Sequence, residues 1–558
     1  MLVLIVRRQM LVRLLWLPIL AFLAAGAALT ALAWLADPPP PPRLGLAALS
    51  AELVFDLFPG GRFSEVVLGG ERQLEESLVS GDLDYLLEIG APGDGLVSWP
   101  LGYLVPAVVV PFFSERQGLD VRELEDLLFF RPEQVLVAAE LALPGFPWSG
   151  KPVQYLPAGQ VVETLRENRA ALGIIPLQAR RPAVRVLPLG GVDPRECADD
   201  PEAYPLTRGI YLSQAPQSLP DRLRAWVQNR LRNPIDAFRL LAQQTDYADP
   251  WAGEVSLLAA GDIMLDRDVK KSGLEKGWEY LFAETAPLLR SADLSFANLE
   301  SPIGAAGRFI NMFQAPSQAV EGLAFAGLDV LSLANNHALD YHHEGLLETM
   351  RLLREYGIDW VGAGRNIEEA RRPLIREVGG VKVGFLAYTE MWFVYAREPI
   401  SWQATPDEPG VAPAELDQVV EDVHRLRGQV DVLVVSVHWG KEYVHEPTPE
   451  QMSLARAAAE AGADIVLGHH PHVLQGIEFW GKGVIAYSLG NFVFDLNLPS
   501  TWETVLLQFT FTRGGVRDLD IIPAYISGVQ PRILEGAHRE AVYQRLRQYS
   551  LPLMAPSS

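Results

Sequence analysis

Between residues 255 and 472 the chain repeats one pattern, a short apolar run stopped abruptly by polar residues, and that pattern limits the fold more than any other feature. The run 255–261 precedes Asp262, Met264 and Asp266, and the run 293–297 precedes Asn298 and Glu300. The run 328–334 precedes Asn335, Asn336, His337 and Asp340. The run 431–437 precedes His438, and 464–468 precedes His469, His470 and His472. Short, nearly continuous apolar runs rich in β-branched residues are strands buried on both faces, which is the habit of α/β proteins. In such sheets helices cover the faces, so sites assemble beyond the carboxyl ends of the strands. Five polar clusters at five strand ends therefore converge on one place.

The segment between the last two runs supports this reading. Thr448 suits an N-cap, Pro449 the first helical position and Gly462 the C-terminal stop. A helix over 449–461 makes residues 432–463 a β-α-β crossover, which sets His438 and His470 side by side at one sheet edge.

The chemistry is concentrated in the same half of the chain. Of ten histidines, all but His538 fall between 337 and 472. The converging residues offer carboxylate, amide and imidazole donors, and the one cysteine, Cys197, lies far upstream. Donors of this kind without thiolate suit two divalent ions such as Mn, Fe, Zn or Mg better than a structural zinc. Two ions about 3.5–4 Å apart activate water and clamp an attacked centre. His342, His343, His424, His445 and His538 are read as exposed or supporting.

A formal net charge of -22 excludes broad phosphate-backbone binding, so no nucleic-acid partner is expected. An anionic substrate would need a local positive centre such as bound metal. A length of 558 residues implies more than one core. Arg7, Arg8 and Arg13 precede roughly 23 residues without charge, over 14–36, long enough to span a bilayer. The arginines on the near side place the amino terminus in the cytoplasm and the bulk outside. The small-x-small form of Ala31-Leu32-Ala33 keeps a cleaved signal as the alternative. The expected organisation is an anchor or signal over 1–36, a stiff proline-rich linker over 37–43, an α/β domain over 44–250 and the metal-site domain over 254–558. Localisation is expected at the cell membrane, single-pass, with the carboxyl-terminal bulk extracytoplasmic.

Two resemblances follow from the motifs. Ser80-Gly-Asp-Leu-Asp84, a helix over 119–128, Ala171-Leu-Gly-Ile-Ile-Pro176 and Tyr204-Pro-Leu-Thr-Arg-Gly-Ile-Tyr211 resemble type II periplasmic solute-binding proteins of the phosphate kind. That family's ligand contacts are not matched, which leaves a lost or altered ligand and a retained one both open.

Gly261-Asp-Ile-Met-Leu-Asp-Arg267, Ala297-Asn-Leu-Glu-Ser-Pro302, Ala334-Asn-Asn-His-Ala-Leu-Asp340, His438-Trp-Gly-Lys-Glu-Tyr443, Gly468-His-His-Pro-His472 and Tyr487-Ser-Leu-Gly-Asn-Phe492 resemble the CapA family of capsule-synthesis proteins, a branch of the calcineurin-like metallophosphoesterases. The resemblance implies a four-layer α/β/β/α sandwich and a dinuclear centre. It makes Asp262 the first metal ligand, Asn336 and His337 the Asn-His pair, His438 the isolated ligand and His470 with His472 the terminal pair. Glu300 stands in for the usual bridging aspartate, and Met264 stands where a histidine ligand is usual.

On this footing Asp262, Glu300, Asn336, His438, His470 and His472 hold metal. His337 is the general acid, and Asn298 or Asn335 orients. The resemblance implies a role in capsule or poly-γ-glutamate synthesis or export beside polymer synthase subunits, acting on a phosphoester or an anionic polymer. A non-catalytic polymer-binding or assembly subunit with a structural metal, and a solute-binding sensor fused to a dormant hydrolase fold, are the alternatives.

Overall fold

The computed structural model describes residues 43–47, 65–69, 73–74, 77–78, 85–89, 96–142, 146–167, 172–214, 251–390, 393–395 and 399–554. The expected anchor over 1–36 and nearly all of the linker over 37–43 lie outside them. Among the described residues no helix is long and apolar enough to cross a membrane.

The chain divides into two compact units, Met1–Leu104 with Thr207–Asp249, and Val105–Leu206 with Pro250–Ser558. The segment expected as one domain over 44–250 thus contributes to both. In the first unit, described strands Glu65–Gly69, Arg43–Ala47 and Tyr85–Ile89 run parallel in that order. Arg208–Gln214 and Val97–Leu104 extend the sheet, with Arg208–Gln214 antiparallel to both its neighbours. The second unit holds a sheet of the same plan. Gln154–Leu156, Val135–Ala138 and Leu172–Pro176 are parallel, and Pro106–Pro111 and Val184–Val186 follow.

Two further sheets of the second unit carry the polar clusters. The first contains β1 (Val255–Ile263), β2 (Leu294–Leu299), β3 (Val330–Ser332) and β4 (Asp359–Val361), parallel in the order β4-β3-β2-β1. Antiparallel strands Glu503–Thr512, Gly515–Ser527 and Gln530–Ile533 continue it beyond β1. The second sheet runs β5 (Leu374–Val378), β6 (Val381–Thr389), β7 (Val432–His438), β8 (Ile465–His469), and then Gly483–Ala486 and Ile477–Trp480. Strands β6, β7 and β8 are parallel.

The alternation of side chains explains why the two sheets stack. Leu257, Phe296, Val330, Phe385, Val434 and Leu467 point into one core between the sheets, where the Phe296 and Phe385 rings stack with centroids 5.9 Å apart. Their neighbours Leu258, Ala297 and Leu331 point the other way, against α1 (Arg267–Lys276), α2 (Ala319–Ala326) and α3 (His342–Glu355). On the far side Val435 and Val466 pack on α4 (Leu416–Arg427) and α5 (Pro449–Ala461). The layers are therefore helix, sheet, sheet, helix, the order that the resemblance implies. Truncating Phe385 to Ala opens the inter-sheet core, and a loss of about 3–5 kcal/mol in stability is expected by urea denaturation. An unchanged unfolding midpoint would contradict this core.

The expected crossover forms between β7 and β8. The Thr448 hydroxyl accepts from the Gln451 N–H, the Gln451 side chain accepts from the Thr448 N–H, and Gly462 closes α5 in the left-handed region. This stop puts His438 in register with His469.

The Val105–Leu206 segment is joined to the same unit through aromatic and polar contacts. Phe112 meets Phe479 edge-on at 5.1 Å. The Arg166 guanidinium donates to the Phe479 carbonyl at 2.7 Å, and that of Arg547 to the Phe113 carbonyl at 2.8 Å.

Candidate metal centre

Parallel strands end together, so the polar clusters meet where β1, β2 and β3 face β7 and β8. Two glycines permit the approach. A Cβ on Gly261, just before Asp262, would collide with the Gly490 carbonyl, and one on Gly468 would collide with that of Tyr487.

Asp262 is the hub. Its Oδ1 accepts from Asn298 Nδ2 at 2.9 Å and from His469 Nδ1 at 3.0 Å, and its Oδ2 accepts from the His470 N–H at 3.1 Å. Asn298 is held in turn by Asn335, whose Nδ2 donates to Asn298 Oδ1 at 3.1 Å and to the Leu299 carbonyl at 2.7 Å. Asn335 Oδ1 accepts from the His337 N–H at 3.0 Å. Asn298 and Asn335 are thus both fully buried and act through their neighbours.

Two fully buried triads of donors emerge. Glu300, His438 and His470 bring one ligand atom each within 4.8 Å of one another, and so do Asp262, Glu300 and His472. Glu300 belongs to both. Asn336 Oδ1 lies 2.8 Å from His438 Nε2, which adds its carbonyl oxygen to the first triad. All six expected ligands therefore meet, and His337 sits beside them, its Nδ1 2.8 Å from Asp340 Oδ2. Asp340 Oδ2 also accepts from the Met312 and Phe313 N–H groups. Met264 is buried in the apolar cluster beneath the first sheet, and its sulfur accepts from the Asp266 N–H.

The donor set fits divalent cations. Both Glu300 carboxylate oxygens are buried without a hydrogen-bond partner, as are His470 Nδ1 and His469 Nε2. A buried carboxylate left unpaired costs stability, and a cation between the triads would offset that cost. Burial, and then the negative charge of Asp262, push the Glu300 carboxyl well above the usual range. Burial of Asp262 opposes its ionisation, but the His469 hydrogen bond and the surrounding imidazoles bring it below its ordinary value. Burial beside His472 pushes His470 down to about 3, and burial among its neighbours likewise lowers His438 and His472. Neutral imidazoles keep lone pairs available for metal.

The pH dependence of the metal-free protein follows. Below about 6.5 the three imidazoles bind protons more readily unfolded than folded, so stability falls as pH drops toward 3. Glu300 opposes this above 4.5, as do Glu254, Glu390, Asp464 and Asp520, whose carboxyls burial also raises. The share of the imidazoles is therefore read as a difference between proteins: with chelator present, the change in melting temperature from pH 7 to pH 5 is expected to be less destabilising in His470→Gln than in the wild type. An equal or more destabilising change in the variant would contradict the buried neutral imidazoles.

The backbone is strained at the same place. Arg267, His342, Tyr443, His470 and His472 are the described non-glycine residues with positive φ, and His470 and His472 reach 94° and 58°. Such residues persist only where the surroundings over-determine them, and they collect at functional sites. The Arg267 guanidinium lies over the Phe313 and Phe494 rings, 4.9 and 5.7 Å from their centroids, and pairs with Asp495. Phe313 packs on His337 and Phe494 on His472, so this cation stands one ring away from each.

Sequence reasoning left three contributors unassigned. Asp340 holds the His337 ring through Nδ1. His469 supports Asp262 from below, and Asn491 accepts at 2.9 Å from His472 Nδ1. Asn491 lies in the 487–492 motif, a signal that was present.

The family model described as bacterial capsule synthesis protein PGA_cap matches residues 256–496, which span these clusters from Asp262 to Asn491. The capsule biosynthesis protein CapA of Bacillus anthracis is 34% identical over 306 residues, covering 52% of this chain and 73% of its own. The chain belongs to the CapA family. The PGA biosynthesis protein CapA of Bacillus subtilis (strain 168) is likewise 34% identical, over 49% of this chain and 71% of its own. All the donors converging in the CapA-family region lie inside the matched span. A solved ABC-type phosphate transport receptor from Vibrio cholerae covers 36% of this chain at 12% identity, with a TM-score of 0.27, too slight a likeness to show a shared fold.

Proposed function

We propose that this chain is a membrane-anchored, extracytoplasmic CapA-family protein of capsule or poly-γ-glutamate synthesis or export, whose carboxyl-terminal domain is a divalent-metal hydrolase of the phosphoesterase type. One observation carries the hydrolase reading, namely two donor triads that share Glu300 beside a His337–Asp340 pair. Simple metal binding has no use for that pair, whereas hydrolysis needs a proton donor.

Bound divalent ions would supply Lewis acidity to the attacked centre. Asp262, Glu300, Asn336, His438, His470 and His472 would hold them. Asp340 accepts from His337 Nδ1–H and so fixes the ring, which leaves Nε2 to deliver a proton to the leaving oxygen. Asn335 holds the His337 backbone and, through Asn298, the Asp262 carboxylate. Arg267 is neutralised by Asp495, so the positive charge for an anionic substrate would come from the bound ions, in a chain whose net charge otherwise repels one. A phosphoester, or the end of an anionic polymer handed over by synthase subunits, fits this arrangement.

A second reading is a non-catalytic assembly subunit with a structural metal, and Met264 at a usual ligand position favours it. Hydrolysis of a generic phosphodiester and phosphomonoester by the full chain, with and without manganese, separates the two. Metal-dependent turnover supports the hydrolase. A metal-loaded protein that turns over neither, nor a polyglutamate chain, supports the assembly subunit.

A further inference from the structure

We infer that Glu442 is a further ligand of the metal centre, supplying the donor that Met264 withholds. The inference rests on the metal-centre reading above. Met264 is turned into the apolar cluster and a thioether is a poor partner for hard cations, so it adds no donor to the Asp262, Glu300 and His472 triad. A Glu442 carboxylate oxygen lies with ring nitrogens of His470 and His472, all within 4.8 Å of one another. This third triad takes one member from each of the other two.

An acid on an exposed loop is ordinarily only a solvated surface group. The loop carrying Glu442 is different, because it is fastened to the ligand run itself. The Trp439 N–H donates to the His469 carbonyl at 3.0 Å, and the Tyr443 N–H donates to the Pro471 carbonyl at 2.8 Å. These two bonds bracket Glu442 and place it over the His470-Pro471-His472 run. Gly440 turns the loop at φ 81° while its N–H donates to Glu390, and Tyr443 is held at φ 63°. Three of the described non-glycine residues at positive φ, Tyr443, His470 and His472, therefore lie on the two facing segments.

A second observation points to a ligand at this spot. His470, 5% exposed, has no partner for Nδ1, and neither oxygen of Glu300 has one. Glu442 itself is exposed, so it would close the solvent side of the centre. On that side a carboxylate can give way to a substrate oxygen, whereas the buried ligands cannot.

The test uses the full chain, stripped of metal and titrated with Mn2+ by calorimetry, with low-temperature electron paramagnetic resonance recorded on the loaded protein. The wild type is expected to bind two ions and show a spin-coupled pair. Glu442→Gln is expected to keep one ion at wild-type affinity, weaken the other by at least about tenfold and give the six-line spectrum of isolated Mn2+. Glu442→Asp is expected to fall between them. Two ions bound by Glu442→Gln at wild-type affinity would overturn the assignment while leaving the metal centre standing. A wild type that binds no Mn2+ would overturn both. Because Glu442 is exposed, an unchanged metal-free melting temperature shows that the variant is folded.

Discussion

His337→Ala is expected to lose turnover by about 10²–10⁴-fold while its metal content stays at the wild-type level. The direction follows from where each group sits. His337 Nδ1 is engaged by Asp340, and His337 belongs to none of the three donor triads. Removing the ring takes away the proton donor and leaves every ligand in place. Asp340→Asn is expected to reproduce much of the loss, because an amide can donate back to Nδ1 and so favour the wrong tautomer. Two measurements check this, the steady-state rate on an activated phosphodiester and elemental analysis of the same samples. If leaving groups that need no proton restore the His337→Ala rate, the acid role stands. A variant that loses metal along with activity would instead make His337 a structural or ligating residue.

Glu300→Leu is expected to separate stability from function. The variant should bind no stoichiometric metal, because Glu300 is the one residue shared by the two buried triads. Without metal it should nevertheless be more stable than the wild type, by about 1–3 kcal/mol. Both Glu300 oxygens are buried without partners, and an apolar side chain of similar volume removes that penalty. Chelator-treated wild type and variant compared by chemical denaturation give the answer. A less stable metal-free variant would mean that Glu300 makes favourable contacts of its own, and the argument that its position is maintained for a cation would fail.

The parts of this architecture legible in the sequence are those written locally. The strands show as apolar runs, and α5 shows through Thr448, Pro449 and Gly462. Because parallel neighbours end at the same level, naming the strands was enough to bring Asp262, Asn336, His438, His470 and His472 together. Asp340 was harder, since a loop has no period to reveal that its carboxylate turns back to His337. Glu442 was harder still. On the sequence it is an acid in a polar stretch, and its meaning depends on Tyr443 reaching the Pro471 carbonyl across the β7-α5-β8 crossover. The placement of Val105–Leu206 with the carboxyl-terminal half was also hidden, because it depends on contacts between distant segments, such as Phe112 on Phe479.

The most direct test of the metal centre is anomalous diffraction at the manganese edge from crystals of the full chain grown with Mn2+. Two peaks about 3.5–4 Å apart are expected, one bounded by Asp262, Glu300 and His472 and the other by Glu300, Asn336, His438 and His470. No peak among these residues, in crystals that show the same fold, would contradict the account.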